Sequence, residues 1–196
     1  MSSLDSLPPF PSTFLGWSAV DQRNSWTEIE QLGELQDLLC WKADYLTRSH
    51  IRDATGQTVT LYGQAGSGSI DHDFWGTAVI QTMPRLAYAV TPTQSGSDLT
   101  AEAASTLAVT SMAFAEIDSA YAVELLDHAR VLYDFADVYR GKHSDTIIDA
   151  SGFYPSSHFE NELAWGALWL HRAAGEVDYL AKTRRIALRR ITSPTL

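Results

Sequence analysis

The chain has 196 residues, 45% of them hydrophobic, enough for one sizeable core and too few for two full domains. Its formal net charge of -10 argues against a nucleic-acid partner, because binding phosphates needs a basic surface that releases counterions. No apolar run of about 18 residues is present, so no membrane-spanning helix is expected, and Cys40, the sole cysteine, cannot close an intrachain disulfide.

The opening MSSLDSLPPFP has neither the basic stretch nor the apolar core of a signal peptide. The LPPFPSTFLGWSAV segment suggests a proline-led entry into a short helix. From Glu28 to Ser49, Ile29, Leu32, Leu35, Leu39 and Tyr45 alternate with charges, the pattern of an outer helix with one wet face. Within it, Cys40 reads as a small buried hydrophobe. VTLYG at 59–63 is the best strand candidate, and no convincing β periodicity accompanies it.

The glycine-rich YGQAGSGSIDHDFW stretch, Tyr62 to Trp75, then delivers a histidine and a tryptophan together where no packing rule asks for either. Leu99, Ala103, Leu107, Phe114 and Ile117 recur at helical spacing from Asp98, a candidate N-cap, to Ile117. A second helix follows through Tyr121, Leu125, Ala129, Leu132, Ala136 and Tyr139, with Gly141 as its expected C′ residue. A third spans about Asn161 to Ala174 and ends at Gly175; its Leu163–Leu170 stretch is apolar on every side and predicts burial all round. Lys182, Arg184, Arg185, Arg189 and Arg190 then crowd into nine residues. That end reads as a solvated amphipathic helix, a basic arm or a non-native terminus, the last being favoured. Helices wet on one side alternating with helices buried on both predict an all-α fold in two helical layers.

Three residues stand out as ligand contacts: His72, Trp75 and Tyr154. A pyranose ring offers C–H faces to a flat aromatic and a hydroxyl rim to fixed polar partners, which an imidazole beside an indole can serve. By residue type alone, the plainer reading of Trp75 is a core residue, of His72 a hydrated surface residue, and of Tyr154 a ring packed under a loop. Asp71, His72 and Asp73 would have to converge as consecutive ligands from one short loop, so a metal site there is set aside. Gly63, Gly66 and Gly68 read as a tight turn that positions His72, since no lysine and hydroxyl pair follows to hold phosphate.

Taken in order, the Tyr62–Trp75 stretch with its DH-x-x-W motif, the Asp127–Tyr154 stretch DHARVLYDFADVYRGKHSDTIIDASGFY, and the helix through Glu160, Asn161, Glu162, Leu163 and AWGALWLHRAAG resemble the middle of a glycoside hydrolase family 9 catalytic domain. The resemblance implies a partial (α/α)6 barrel, about half of the helical toroid, over 1–181, with a basic non-family tail at 182–196. It implies the activity of an inverting endoglucanase on β-1,4-glucan or cello-oligosaccharide, with His72 bonding sugar hydroxyls, Trp75 stacking on a ring and Tyr154 facing the cleaved bond. It gives no catalytic residue in this chain: Asp5 does not reproduce the family's aspartate motif, and the family's acid glutamate lies beyond Leu196. An inactive fragment that self-associates through exposed inner helices is therefore expected, exported in the family although no leader is written here. In some members the loop after the tyrosine binds calcium, which would fall on Ser157, Asn161 and Glu162; Asn161 replaces the aspartate and His158 the glycine. A non-catalytic helical interaction scaffold is the alternative.

Overall fold

A computed structural model describes residues 10–192. Asp5 and the prolines at 8 and 9 lie outside the described residues, as do the last four. The described elements run α1 (Phe10–Asp21), α2 (Arg23–Glu28), α3 (Leu32–Ser49), β1 (His50–Arg52), β2 (Thr58–Ala65), α4 (Gly68–Asp73), a 3-10 turn at Ala78–Ile80, β3 (Ala87–Val90), α5 (Ser97–Phe114), α6 (Ser119–Val138), α7 (His143–Thr146), α8 (Ile148–Ser151), α9 (Glu160–Ala174) and α10 (Val177–Thr192).

Helix α5 is the hub. It packs against α1, α3, α6 and α9, and Leu107, Ala108 and Val109 are wholly buried. Its sequence, SDLTAEAASTLAVTSMAF, is rich in alanine, serine and threonine, so neighbouring backbones can approach closely. The hydroxyls cost little there because Thr100, Ser105, Thr110 and Ser111 donate to carbonyls of the preceding turn. All-round burial, expected of Leu163–Leu170, thus belongs to α5. Helix α9 buries Leu163, Gly166, Ala167, Trp169 and Leu170 but leaves Leu168 exposed.

Several boundaries differ from expectation. Asp98 lies inside α5 rather than capping it, with Gly96 at the N-cap position; a buried carboxylate is wanted there for another partner, described below. Helix α6 stops at Val138, and Gly141 is not a left-handed C′ residue. Gly141 is small because a Cβ would meet Ser95 Cβ at 2.6 Å while its N–H and C=O bond Ser97. Gly175 does end α9 in the left-handed region, at φ 74°. The expected Glu28–Ser49 helix breaks before Leu32 at Glu30, φ 57°; Ile29 beside the break is exposed, whereas α3 buries Leu35, Leu39, Ala43 and Leu46. Cys40 is half-buried.

The strands are more extensive than the sequence suggests. β1, β2 and β3 form an antiparallel sheet, with His50 opposite Leu61 and Leu61 opposite Val90. Irregularities between Ile51 and Arg52 and between Tyr62 and Gln64 shift the register, so burial along β2 does not alternate with period two and the pattern is hidden in the sequence. At the other end, α10 crosses 181/182 without interruption, so the expected domain boundary falls inside one helix. Tyr179 and Ile186 are buried, Lys182 lies 4.9 Å from the Tyr133 ring centre and 3.2 Å from Asp137, and Arg184 and Arg185 face water.

Candidate functional site

Where β2 ends, the chain turns sharply. Gly66 has φ 91°, which favours glycine, and its N–H donates to Leu86 O at 2.7 Å. Asp149 on α8 accepts from Gln64 Nε2 (2.5 Å), Ser67 Oγ (2.9 Å) and Gly68 N–H (2.7 Å). The one-and-a-half turns of α4 then present His72, whose Nδ1 meets Gly68 O at 2.7 Å and whose ring stacks on Phe153, centroids 4.3 Å apart. Asp71 accepts from Arg85 Nη1 at 2.7 Å and from Gln81 Nε2 at 2.7 Å. No metal cluster forms from Asp71, His72 and Asp73, and no group of three His, Cys, Asp or Glu is placed to hold a metal ion among the described residues.

Two hollows adjoin this turn and share Gln64, Ala150 and Tyr154 in their walls. The smaller contains His72, Asp71 and Asp149. The larger, about 400 Å³, runs inward to Asp98, Glu102 and His143 and outward to Ser157, Asn161 and Glu162. Tyr154 therefore lines the same hollow as His72, 82 positions away in sequence. Trp75 does not join them: it is fully exposed and lines neither hollow. The core reading of Trp75 is thereby excluded.

The larger hollow holds groups that sequence reasoning passed over. Asp98 Oδ2 lies 2.8 Å from His143 Nδ1, and Asp98 Oδ1 accepts the N–H groups of His143 (2.8 Å) and Leu99 (2.9 Å). Burial works against this carboxylate, but the His143 and Ser156 bonds overcome it and hold Asp98 below the usual range, hence ionised. One turn on, Glu102 is 4% exposed and accepts from Thr13 Oγ1 at 3.2 Å. Burial pushes its pKa up to about 8, the Thr13 bond opposing and the Glu162 charge reinforcing the shift. Two carboxylates four residues apart in an otherwise small-residue helix were the available signal for this pair. No local pattern announces His143 or Asp149, which matter only through partners 45 and about 80 positions away.

Ser157, Asn161 and Glu162, the residues on which a calcium site would fall, line one wall of the larger hollow and bring one carboxylate among them, whereas calcium takes six to eight oxygens. No helix among the described residues is long and apolar enough to cross a membrane.

Sequence comparison matches residues 9–192 to the family described as glycosyl hydrolase family 9. The chain is 41% identical to Endoglucanase 15 of Arabidopsis thaliana, covering 87% of this chain and 34% of the relative, and 40% identical to Endoglucanase B of Cellulomonas fimi, covering 88% and 16%. An endoglucanase structure from the termite Nasutitermes takasagoensis superposes with a TM-score of 0.88 at 38% identity over 93% of this chain and 41% of that one. The cellulase Cel9M of C. cellulolyticum in complex with cellobiose superposes at 0.84, with 28% identity, over 92% and 40%. The chain thus spans about a third or less of these curated relatives, and its fold is part of their (α/α)6 helical barrel. The matches do not favour a helical scaffold unrelated to sugar.

Proposed function

The chain belongs to glycosyl hydrolase family 9, and from that premise we propose that it forms one wall of the glucan-binding cleft of a cellulase-type endoglucanase. The observation that carries this reading is the meeting of His72 and Tyr154 at adjoining hollows in a chain that superposes on a cellobiose-bound cellulase. The ligand is a β-1,4-glucan or cello-oligosaccharide. His72, propped against Phe153, meets a sugar hydroxyl; Tyr154 supports the ring next to it; and Trp75, standing free on the loop, offers its face to a pyranose C–H surface.

Hydrolysis with inversion requires an acid and a base about 6.5–9.5 Å apart on either side of the bond. In the smaller hollow, Asp71 is held by Arg85 and Gln81, and Asp149 by Gln64, Ser67 and Gly68. In the larger, Asp98 is committed to His143, Glu102 is buried against Thr13 with 4% exposure, and Glu162 lies on the wall beside it; the family resemblance assigns its acid and base to none of these. Binding without turnover is therefore the expected behaviour of this chain by itself. Adding cellotetraose to the purified chain should produce a saturable change in tryptophan fluorescence that Trp75→Ala abolishes, while a reducing-sugar assay on soluble cellulose stays at background. A flat titration refutes the glucan reading, and turnover refutes its non-hydrolytic half.

A further inference from the structure

We propose that Asp149 is the positioning residue of the His72 loop: its carboxylate clamps the glycine turn and so fixes which ring nitrogen of His72 is left to meet a ligand. The choice of ligand rests on the glucan reading above; the clamp itself does not.

The geometry is specific. Three donors within five positions of chain, Gln64 Nε2, Ser67 Oγ and Gly68 N–H, converge on one carboxylate from an element about 80 residues away. They belong to the end of β2, the turn and the first residue of α4, so one side chain ties the strand to the helix that carries the histidine. Burial works against the charge on Asp149, but these donors outweigh it and keep the group ionised at neutral pH. Four residues further on, Phe153 presses on the same loop. A Cβ on Gly68 would lie 2.5 Å from Phe153 Cδ2, and the same ring stacks on His72 at an interplanar angle of 18°. Asp149 and Phe153 thus hold the loop by its main chain and by its histidine.

Gly68 is the link. Its N–H donates to Asp149 and its carbonyl faces His72 Nδ1 at 2.7 Å. A carbonyl can only accept, so Nδ1 carries the proton, and in the neutral ring Nε2 is left as a bare acceptor. Anchoring Gly68 therefore selects the tautomer as well as the position of the imidazole. A ligand hydroxyl meeting His72 would donate to Nε2, which suits a neutral polyhydroxylated chain and leaves the hydroxyl oxygen free for another partner.

Long-range ¹H–¹⁵N NMR spectra of the full chain read this directly. Wild type should show His72 as the Nδ1–H tautomer. Asp149→Ala should lose that single tautomer while far-UV circular dichroism stays unchanged, and Asp149→Asn, which keeps an acceptor oxygen for Gly68 N–H, should restore it in part. In the wild type, cellotetraose should shift the His72 Nε2 resonance, and Asp149→Ala should weaken the apparent affinity about fivefold, the ratio expected for loss of roughly 1 kcal/mol of positioning. An unchanged His72 tautomer in both variants overturns the clamp; should Asp149→Ala fail to fold, the spectra of Asp149→Asn and Ser67→Ala decide between the same two outcomes. If the tautomer responds but cellotetraose leaves wild-type His72 untouched, the clamp stands and the glucan reading falls.

Discussion

Replacing Glu102 by Gln isolates the cost of burying a carboxyl at the inner wall of the larger hollow. The amide has nearly the same shape and keeps an oxygen for Thr13 Oγ1, so packing is preserved while titration is removed. With a folded pKa of about 8 against an ordinary 4.5, the native state holds a proton that the unfolded chain releases. The group's contribution is therefore fully present below pH 4.5 and is lost as pH rises towards and through 8. At about 1.36 kcal/mol per pKa unit, the wild-type penalty grows from about 1 kcal/mol at pH 5 to about 4 kcal/mol at pH 8. Relative to wild type, Glu102→Gln should thus gain about 3 kcal/mol between these pH values, roughly 6–12 °C of Tm for a chain of this length. Thermal melts followed by circular dichroism from pH 5 to 8.5 provide the comparison. Parallel curves for the two proteins would show that Glu102 ionises normally and that the wall is wetter than its 4% exposure implies.

A second pH effect has the opposite sign. His50 and His128 face each other at 3.0 Å, Nδ1 to Nδ1, with Thr58, Arg52 and Asp127 around them; burial, reinforced at His50 by the His128 charge and at both by Arg52, lowers their pKa values to about 3 and about 4. Stability present above pH 6.5 is then lost as pH falls towards 4, by up to about 1.4 kcal/mol per pH unit for buried His50 and less for half-buried His128. In a Glu102→Gln background, which removes the opposing carboxyl titration, His128→Gln should roughly halve the slope of Tm against pH between 6.5 and 5; an unchanged slope would place the titration elsewhere. Gly175→Ala puts a Cβ into open space but in the left-handed region, so urea midpoints should report a loss of about 1 kcal/mol with the m-value unchanged. Leu107→Ala, at the wholly buried centre of α5, should cost about 2–5 kcal/mol in the same assay, and a smaller loss would mean that the hub helix repacks.

The sequence by itself determined what depends on near neighbours. The helical period marked α5, α6 and α9 because a turn repeats every few residues, and Gly175 marked the end of α9 because φ 74° favours a residue without a side chain. Ordered motifs from Tyr62 to Gly175 carried the family for the same reason: each is a short, contiguous string. Tertiary structure decided everything that joins distant positions. It made α5 rather than Leu163–Leu170 the fully buried helix, closed a sheet whose irregular register erases the two-residue alternation, and turned Asp98 from a cap into the partner of His143. It also brought Asp149 to Gly68 and left Trp75 in water. A carboxylate's partner, its protonation and its burial are properties of the volume around it, and that volume is assembled by helices packing across the whole chain.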